Sequence, residues 1–242
     1  MCDRHSIVGT LINVATVVAG TAIGTAVGPR LTESVQQRVL AGLGLITLVL
    51  GVDLALAWGG PDTSTSTPLY VLGGVLLGGL AGEAIGIERR LEGLGDRLQR
   101  RLAPEGRQST ISEGFVTASL LFCVGSLTVV GSIQDGLTGE YQTLATKAVL
   151  DGFAAVALAA TLGWGVGLSA LTVLFVQGAI TLGAGLFDDI LVGEALAVLI
   201  SAGGVMVVAI SLKLLDLKDV KVGNFLPALV IAPALVGLVG LF

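Results

Sequence analysis

The stretch that decides the fold runs from Ser126 to Leu158, SLTVVGSIQDGLTGEYQTLATKAVLDGFAAVAL. An apolar run ends at Gln134 and Asp135, a polar link follows, and Lys147 and Asp151 lie just inside the next apolar run. This is the pattern of two membrane-spanning helices joined by a hairpin, with charges at the turn and inside the second helix. Working outward, the same alternation of apolar run and polar link fills the chain. A span needs about 20 apolar residues. Eight such runs are legible, at about 7–28, 37–57, 68–87, 113–133, 146–163, 167–187, 192–213 and 223–242. Between Asp151 and Asp188 nothing is charged, and only GWGVG, Gly163 to Gly167, punctuates the sequence. A straight helix of about 40 residues would be roughly 60 Å long, so this part reads as two spans and a tight turn.

Composition agrees. Of 242 residues, 53% are hydrophobic and 13% charged, and the mean hydropathy is +0.92. Soluble domains average about 25% charged residues. The expected fold is therefore all-α, a polytopic bundle of about eight transmembrane helices forming a single integral membrane domain over 1–242, with the lipid bilayer as its first partner. The 36 glycines fit, because small residues let helices approach where lipid supplies no hydrophobic drive. Gly20, Gly24 and Gly28, and Gly74, Gly78, Gly82 and Gly86, recur every four residues as packing stripes. Such faces also permit a homo-oligomer.

Several classes are disfavoured. Cys2 and Cys123 make neither a disulfide framework nor a zinc site, and the one histidine, His5, lies near the start. No metal site, cofactor or catalytic triad is expected, and no paired aspartates at membrane depth suggest an enzyme. A net charge of −5 argues against nucleic acid. The first run follows MCDRHS, which has no basic excess, and is about 21 residues long, so it reads as a retained span rather than a signal core.

Cytoplasmic loops collect Lys and Arg. With eight spans and both termini outside, the inside loops hold all of the 13 basic residues except Arg4 and Lys147. The outside links GGPDTSTST, QDGLTGEYQT and FDDILVGE are acidic or rich in hydroxyls. The segment IERRLEGLGDRLQRRLAPEGRQST carries Ile87, Leu91, Leu94, Leu98 and Leu102 at helical spacing with arginines between them. It reads as an amphipathic cytoplasmic linker over 88–110 lying on the bilayer surface, with partner docking as a second reading. A weak internal repeat is also visible. VVAGTAIGTAVG (Val17 to Gly28) is like FVQGAITLGAG (Phe175 to Gly185), and GLGLITLVLGVDLAL (Gly42 to Leu56) is like AGGVMVVAISLKLL (Ala202 to Leu215). Spans 1–3 would then match spans 6–8 with opposite orientation, an inverted repeat of the kind transporters use.

Polar residues at membrane depth normally face a partner or a wet cavity. The transport or ion-binding candidates are Asn13, Ser126, Gln134, Asp135, Lys147, Asp151, Gln177 and Asn224. Lys147 and Asp151 are one helical turn apart and can pair. Asp151 is expected some 5–10 Å inside its helix start, at the usual rise per residue. Carboxylate, amide and hydroxyl oxygens suit small hard cations. The pair reads either as part of a cation or proton path or as a structural pair that fixes the hairpin. In the last run, Pro227 and Pro233 interrupt a helix and free backbone carbonyls.

GTLINV (Gly9 to Val14), EGFVTASLLFCVGSLTVVGSIQDGL (Glu113 to Leu137), TKAVLDG (Thr146 to Gly152), GWGVGLSALTVLFVQGAIT (Gly163 to Thr181) and NFLPAL (Asn224 to Leu229) resemble the YqgA-like family. These are prokaryotic multi-pass membrane proteins carrying a domain of unknown function. The resemblance implies a cell-membrane location and suggests transport without a substrate. It marks Asn13, Glu113, Gly125, Gly131, Asp135, Gly136, Lys147, Asp151, Gly152, Gln177, Asn224 and Pro227, while Ser211 stands where a glycine is expected. The expected function is a transporter or channel for a small inorganic ion or other small solute, a cation or proton first. The alternative is a scaffold that binds a partner through the arginine-rich segment.

Overall fold

A computed structural model describes residues 7–61, 63–102, 111–123, 126–187 and 191–239. The last third of the amphipathic linker, Ala103–Thr110, lies outside the described residues, as do Cys2 and His5. The described residues form helices and no strands. In chain order these are α1 (Val8–Val27), α2 (Glu33–Ala55), α3 (Thr67–Ile85), α4 (Ile87–Leu102), α5 (Ile111–Cys123), α6 (Ser126–Thr138), α7 (Gln142–Leu162), α8 (Gly165–Leu182), the short α9 (Ala184–Phe187), α10 (Gly193–Leu214) and α11 (Ala228–Val239). Among the described residues six helices are long and apolar enough to cross a membrane: α1, α2, α3, α7, α8 and α10. A seventh span results if α5 and α6 count as one.

Two parts of the expected eight-span pattern take a different form. The fourth run is not a continuous helix: α5 and α6 are bent by 61° to each other. The last run gives a shorter apolar helical stretch, Val222–Leu238, with a 3-10 turn at Val222–Phe225, Pro227 just before α11 and Pro233 inside it. Proline lacks the N–H a helix interior needs, so a full-length straight span does not form there. The division after Leu162 is as the sequence implies. Gly163 has φ +77° and ψ −164°, a region open essentially to glycine alone, and it turns α7 into α8.

The chain divides into two compact units. The first comprises residues 1–43, 91–123 and 127–185. Its centre is the pair α1 and α7, and the glycine stripe makes that pairing close. A methyl group added at Gly20, Gly24 or Gly28 would overlap the carbonyl oxygens of Gly152, Val156 and Ala160 in turn. The contacts advance together along both helices, so α1 and α7 run parallel. Helix α8 runs antiparallel to α1: Thr10 meets Thr181, and Thr21 meets Gly167. Gly165 presses on Ile111, and Ser119 donates to Thr172 at 3.0 Å, so α5 runs parallel to α8. Phe122, Leu144, Leu158, Val166 and Val173 fill the unit's interior.

The second unit comprises residues 44–90, 124–126 and 186–242. Here Gly74 and Gly78 of α3 press on Ala232 and Ala228 of α11, and Gly82 presses on Asn224. The residue order fixes α3 and α11 as antiparallel. Gly86 is not part of that stripe: its φ of +70° is left-handed and it ends α3. Gly44, Gly51 and Gly204 bring α2 and α10 together, also antiparallel. Val71, Val198, Ala202 and Ala232 form the core, with Trp58 and Tyr70 packed against it. In both units large apolar side chains face outward, among them Phe153 and Phe175 in the first and Ile46, Val49 and Val230 in the second. Such surfaces are at home in a bilayer and not in water.

Candidate functional site

The first unit buries an unusual amount of polar chemistry. Lys147 of α7 is buried, and its ammonium donates to Asp151 one turn later and to the Phe122 carbonyl at 2.7 Å. Phe122 is the penultimate residue of α5. A continuous helix would offer its carbonyl the amide four residues on. Because α5 ends at Cys123, that carbonyl is free to take other donors. Lys147 supplies one, and the Thr128 hydroxyl of α6 supplies another at 3.2 Å. The break in the fourth run is thus tied to α7 by an ammonium group. Hydropathy gave no sign of it, since both sides of the break are apolar and no proline marks it.

Asp151 also accepts from Asn13 Nδ2 of α1 at 2.9 Å. The carboxylate therefore joins α1 and α7 in addition to binding the ammonium. Helix α7 begins at Gln142, earlier than the apolar run suggests. Asp151 is nine residues in, about 13 Å at the usual rise, deeper than its sequence position implies. Gln177 of α8 is fully buried, and neither atom of its amide has a hydrogen-bond partner. The antiparallel register of α1 and α8, set by the Thr10–Thr181 and Thr21–Gly167 contacts, puts Gln177 level with Asn13.

One turn nearer the start of α1 lies a second polar level. Asp135 of α6 has no exposed surface, and its Oδ2 accepts the Gly9 amide of α1 at 3.0 Å. Among the described residues its Oδ1 has no hydrogen-bond partner. The Thr10 and Thr181 hydroxyls face each other at 3.5 Å. Gln134, half-buried, accepts from Thr143 at 2.8 Å and secures the α6–α7 hairpin. Ser126 opens α6, and its side chain lies outside the described residues.

Of the candidates, Asn13, Asp135, Lys147, Asp151, Gln177 and Gln134 belong to the first unit. Asn224 does not join them. It lies in the second unit, where its amide donates to Glu83 at 2.5 Å and its Oδ1 accepts the Glu88 amide at 2.8 Å. Glu88 in turn accepts from the Gly223 amide at 2.6 Å. That arrangement ties the end of α3 and the start of α4 to the turn before α11. Sequence reasoning missed the Phe122 carbonyl, the Gly9 amide and Ser132, whose buried hydroxyl has no partner. Among the described residues there is no cluster of three or more His, Cys, Asp or Glu that could hold a metal ion.

The comparisons with known proteins agree with this picture. The chain is 30% identical over 234 residues to the "Uncharacterized membrane protein YdfK" of Bacillus subtilis, covering 97% of each. It is 27% identical over 229 residues to the "Uncharacterized protein YqgA" of Escherichia coli, covering 93% of this chain and 94% of that one. No solved structure matches it significantly. With its apolar helices and a membrane protein as relative, the chain is an integral, multi-pass membrane protein seated in a lipid bilayer. Residues 8–237 match the family model described as "Protein of unknown function (DUF554)", and the chain belongs to that family, as its likeness to YqgA-like proteins implies.

Proposed function

We propose that the protein moves a small cation or a proton across the membrane. One observation carries the reading. A buried ammonium, a buried carboxylate and amide groups converge where a membrane helix is broken, with backbone carbonyl chemistry released at the break. Discontinuous helices whose ends face polar groups near mid-membrane are a recurring construction of secondary transporters. Buried ionisable residues are expensive in lipid and tend to mark ion paths. The unmatched oxygens of Asn13, Asp135 and Gln177 add hard oxygen donors within the first unit.

The helix pairing supports an inverted repeat. Under that reading α1 matches α8, α2 matches α10 and α3 matches α11. Within the first unit α1 and α8 meet antiparallel, and within the second so do α2 and α10, and α3 and α11. The distribution of Lys and Arg supports both termini outside a cell membrane. No "GxxxxGK[ST]" loop occurs, so the reading is of gradient-driven movement by a protein that is not an enzyme.

The test is ion flux in liposomes containing the purified protein, beside Asp151→Asn. Flux above empty liposomes that the folded variant loses is the expected result. Equal flux in wild type and variant would remove Asp151 from the path.

A further inference from the structure

The two buried carboxylates of the first unit are not equivalent. Asp151 has its charge balanced by Lys147. Asp135 has no exposed surface, and among the described residues no ammonium or guanidinium lies within ion-pair distance of it. Among the described residues the charged groups of the elements packed against it can be named. Helices α1 and α8 carry none. On α7, Lys147 and Asp151 are bonded to each other. On α6 Asp135 is alone, Glu113 of α5 is exposed, and so is Glu140 of the hairpin link. Among the described residues the carboxylate's hydrogen bond comes from the Gly9 amide, in the first turn of α1. A helix N-terminus offers about half a positive charge, which does not neutralise a full negative one. An isolated ionised carboxylate in a medium of low dielectric constant is costly, and a bound positive charge offsets that cost.

The surroundings suit such a guest. The Ser132 hydroxyl, one turn earlier on α6, is fully buried and has no hydrogen-bond partner among the described residues. Thr10 adjoins Gly9, and its hydroxyl faces that of Thr181. Gly136, next to Asp135, presses on the Thr181 carbonyl, which brings α6 against α8 at this level. Carboxylate and hydroxyl oxygens from three helices are hard ligands of the kind small cations prefer.

We infer that Asp135 carries the exchangeable positive charge, a single Na+ or a proton, while Lys147 balances the charge of Asp151. The role in flux rests on the transport reading above; the binding itself does not.

Purified protein in detergent micelles gives the test. Radioactive Na+ binding at alkaline pH reads one arm, and the infrared carboxylic-acid band on acidification without Na+ reads the other. Wild type should show one saturable Na+ per chain or one such band. Folded Asp135→Asn should lose it, and Asp151→Asn should keep it. Ser132→Ala keeps the charge and removes a donor, so it should weaken Na+ binding about tenfold and leave a proton band unmoved. If Asp135→Asn does not elute as folded protein, the wild-type band and Ser132→Ala decide between the arms. Binding or a band retained in folded Asp135→Asn overturns the assignment. So does a wild type in which the carboxylate stays ionised, with no Na+ bound, at every pH. Loss of binding in Asp135→Asn with no ion flux in liposomes would end the transport reading and keep this site. Flux unchanged in folded Asp135→Asn would remove Asp135 from the ion path and leave the transport reading standing.

Discussion

Lys147→Met separates the ammonium from the rest of its side chain. The apolar stem keeps its packing, while two acceptors lose their donor: the Asp151 carboxylate and the Phe122 carbonyl at 2.7 Å. Asp151 then keeps only the Asn13 amide at 2.9 Å. Removing one partner of a buried pair costs about 3–5 kcal/mol, because the other charge stays buried without compensation. Asp151→Asn leaves the ammonium on the Phe122 carbonyl and a neutral amide, and should cost about 2–3 kcal/mol. The double variant has no buried charge left at this level. Its remaining penalty is the lost donor at Phe122, about 1–2 kcal/mol. The two single losses should therefore exceed the double loss by at least about 2 kcal/mol, well beyond the roughly 0.5 kcal/mol within which independent sites add. Equilibrium unfolding in mixed detergent and dodecyl sulfate micelles, followed by the fluorescence of Trp58 and Trp164, measures all three. Additive single losses would refute the claim that ammonium and carboxylate compensate each other inside the bundle.

Other positions give sharper local outcomes. Gly24→Val should destabilise the first unit by at least about 1–3 kcal/mol through overpacking on α7, seen in the same unfolding assay. Gly178→Ala, where an added methyl meets nothing within 4 Å, should instead stabilise by up to about 1 kcal/mol through helix propensity. Gly163→Ala should cost about 1–3 kcal/mol from backbone strain at φ +77°, and lower the thermal midpoint of the detergent-solubilised protein. Asn224→Ala should leave the buried Glu88 amide one acceptor short, at about 1–3 kcal/mol, and increase protease cleavage around α4.

The hairpin charges, the glycine stripes and the turn at Gly163 were legible because each depends on local spacing. Lys147 and Asp151 pair at four residues, and a stripe of Gly20, Gly24 and Gly28 needs nothing beyond helix periodicity. The break between α5 and α6 was hidden, since a run apolar on both sides of Gly125 has the hydropathy of one continuous span. Asp135 was recognisable as a polar residue at a helix end. Its partner, Gly9, is 126 positions away and contributes a backbone amide, which no residue type advertises. The partners of Asn224 were hidden for the same reason. A buried amide near prolines resembles a transport residue in sequence, while its partners Glu83 and Glu88 are visible only once α3 folds back on the turn before α11.

Flux of Na+, K+ and protons, each driven by its own gradient into liposomes holding the purified protein, tests the central claim most directly. Movement of one of these ions above the level of empty liposomes, lost in folded Asp151→Asn, is the predicted result. No movement of any of them, or movement that Asp151→Asn leaves unchanged, would contradict it and return Lys147 and Asp151 to the role of a structural pair.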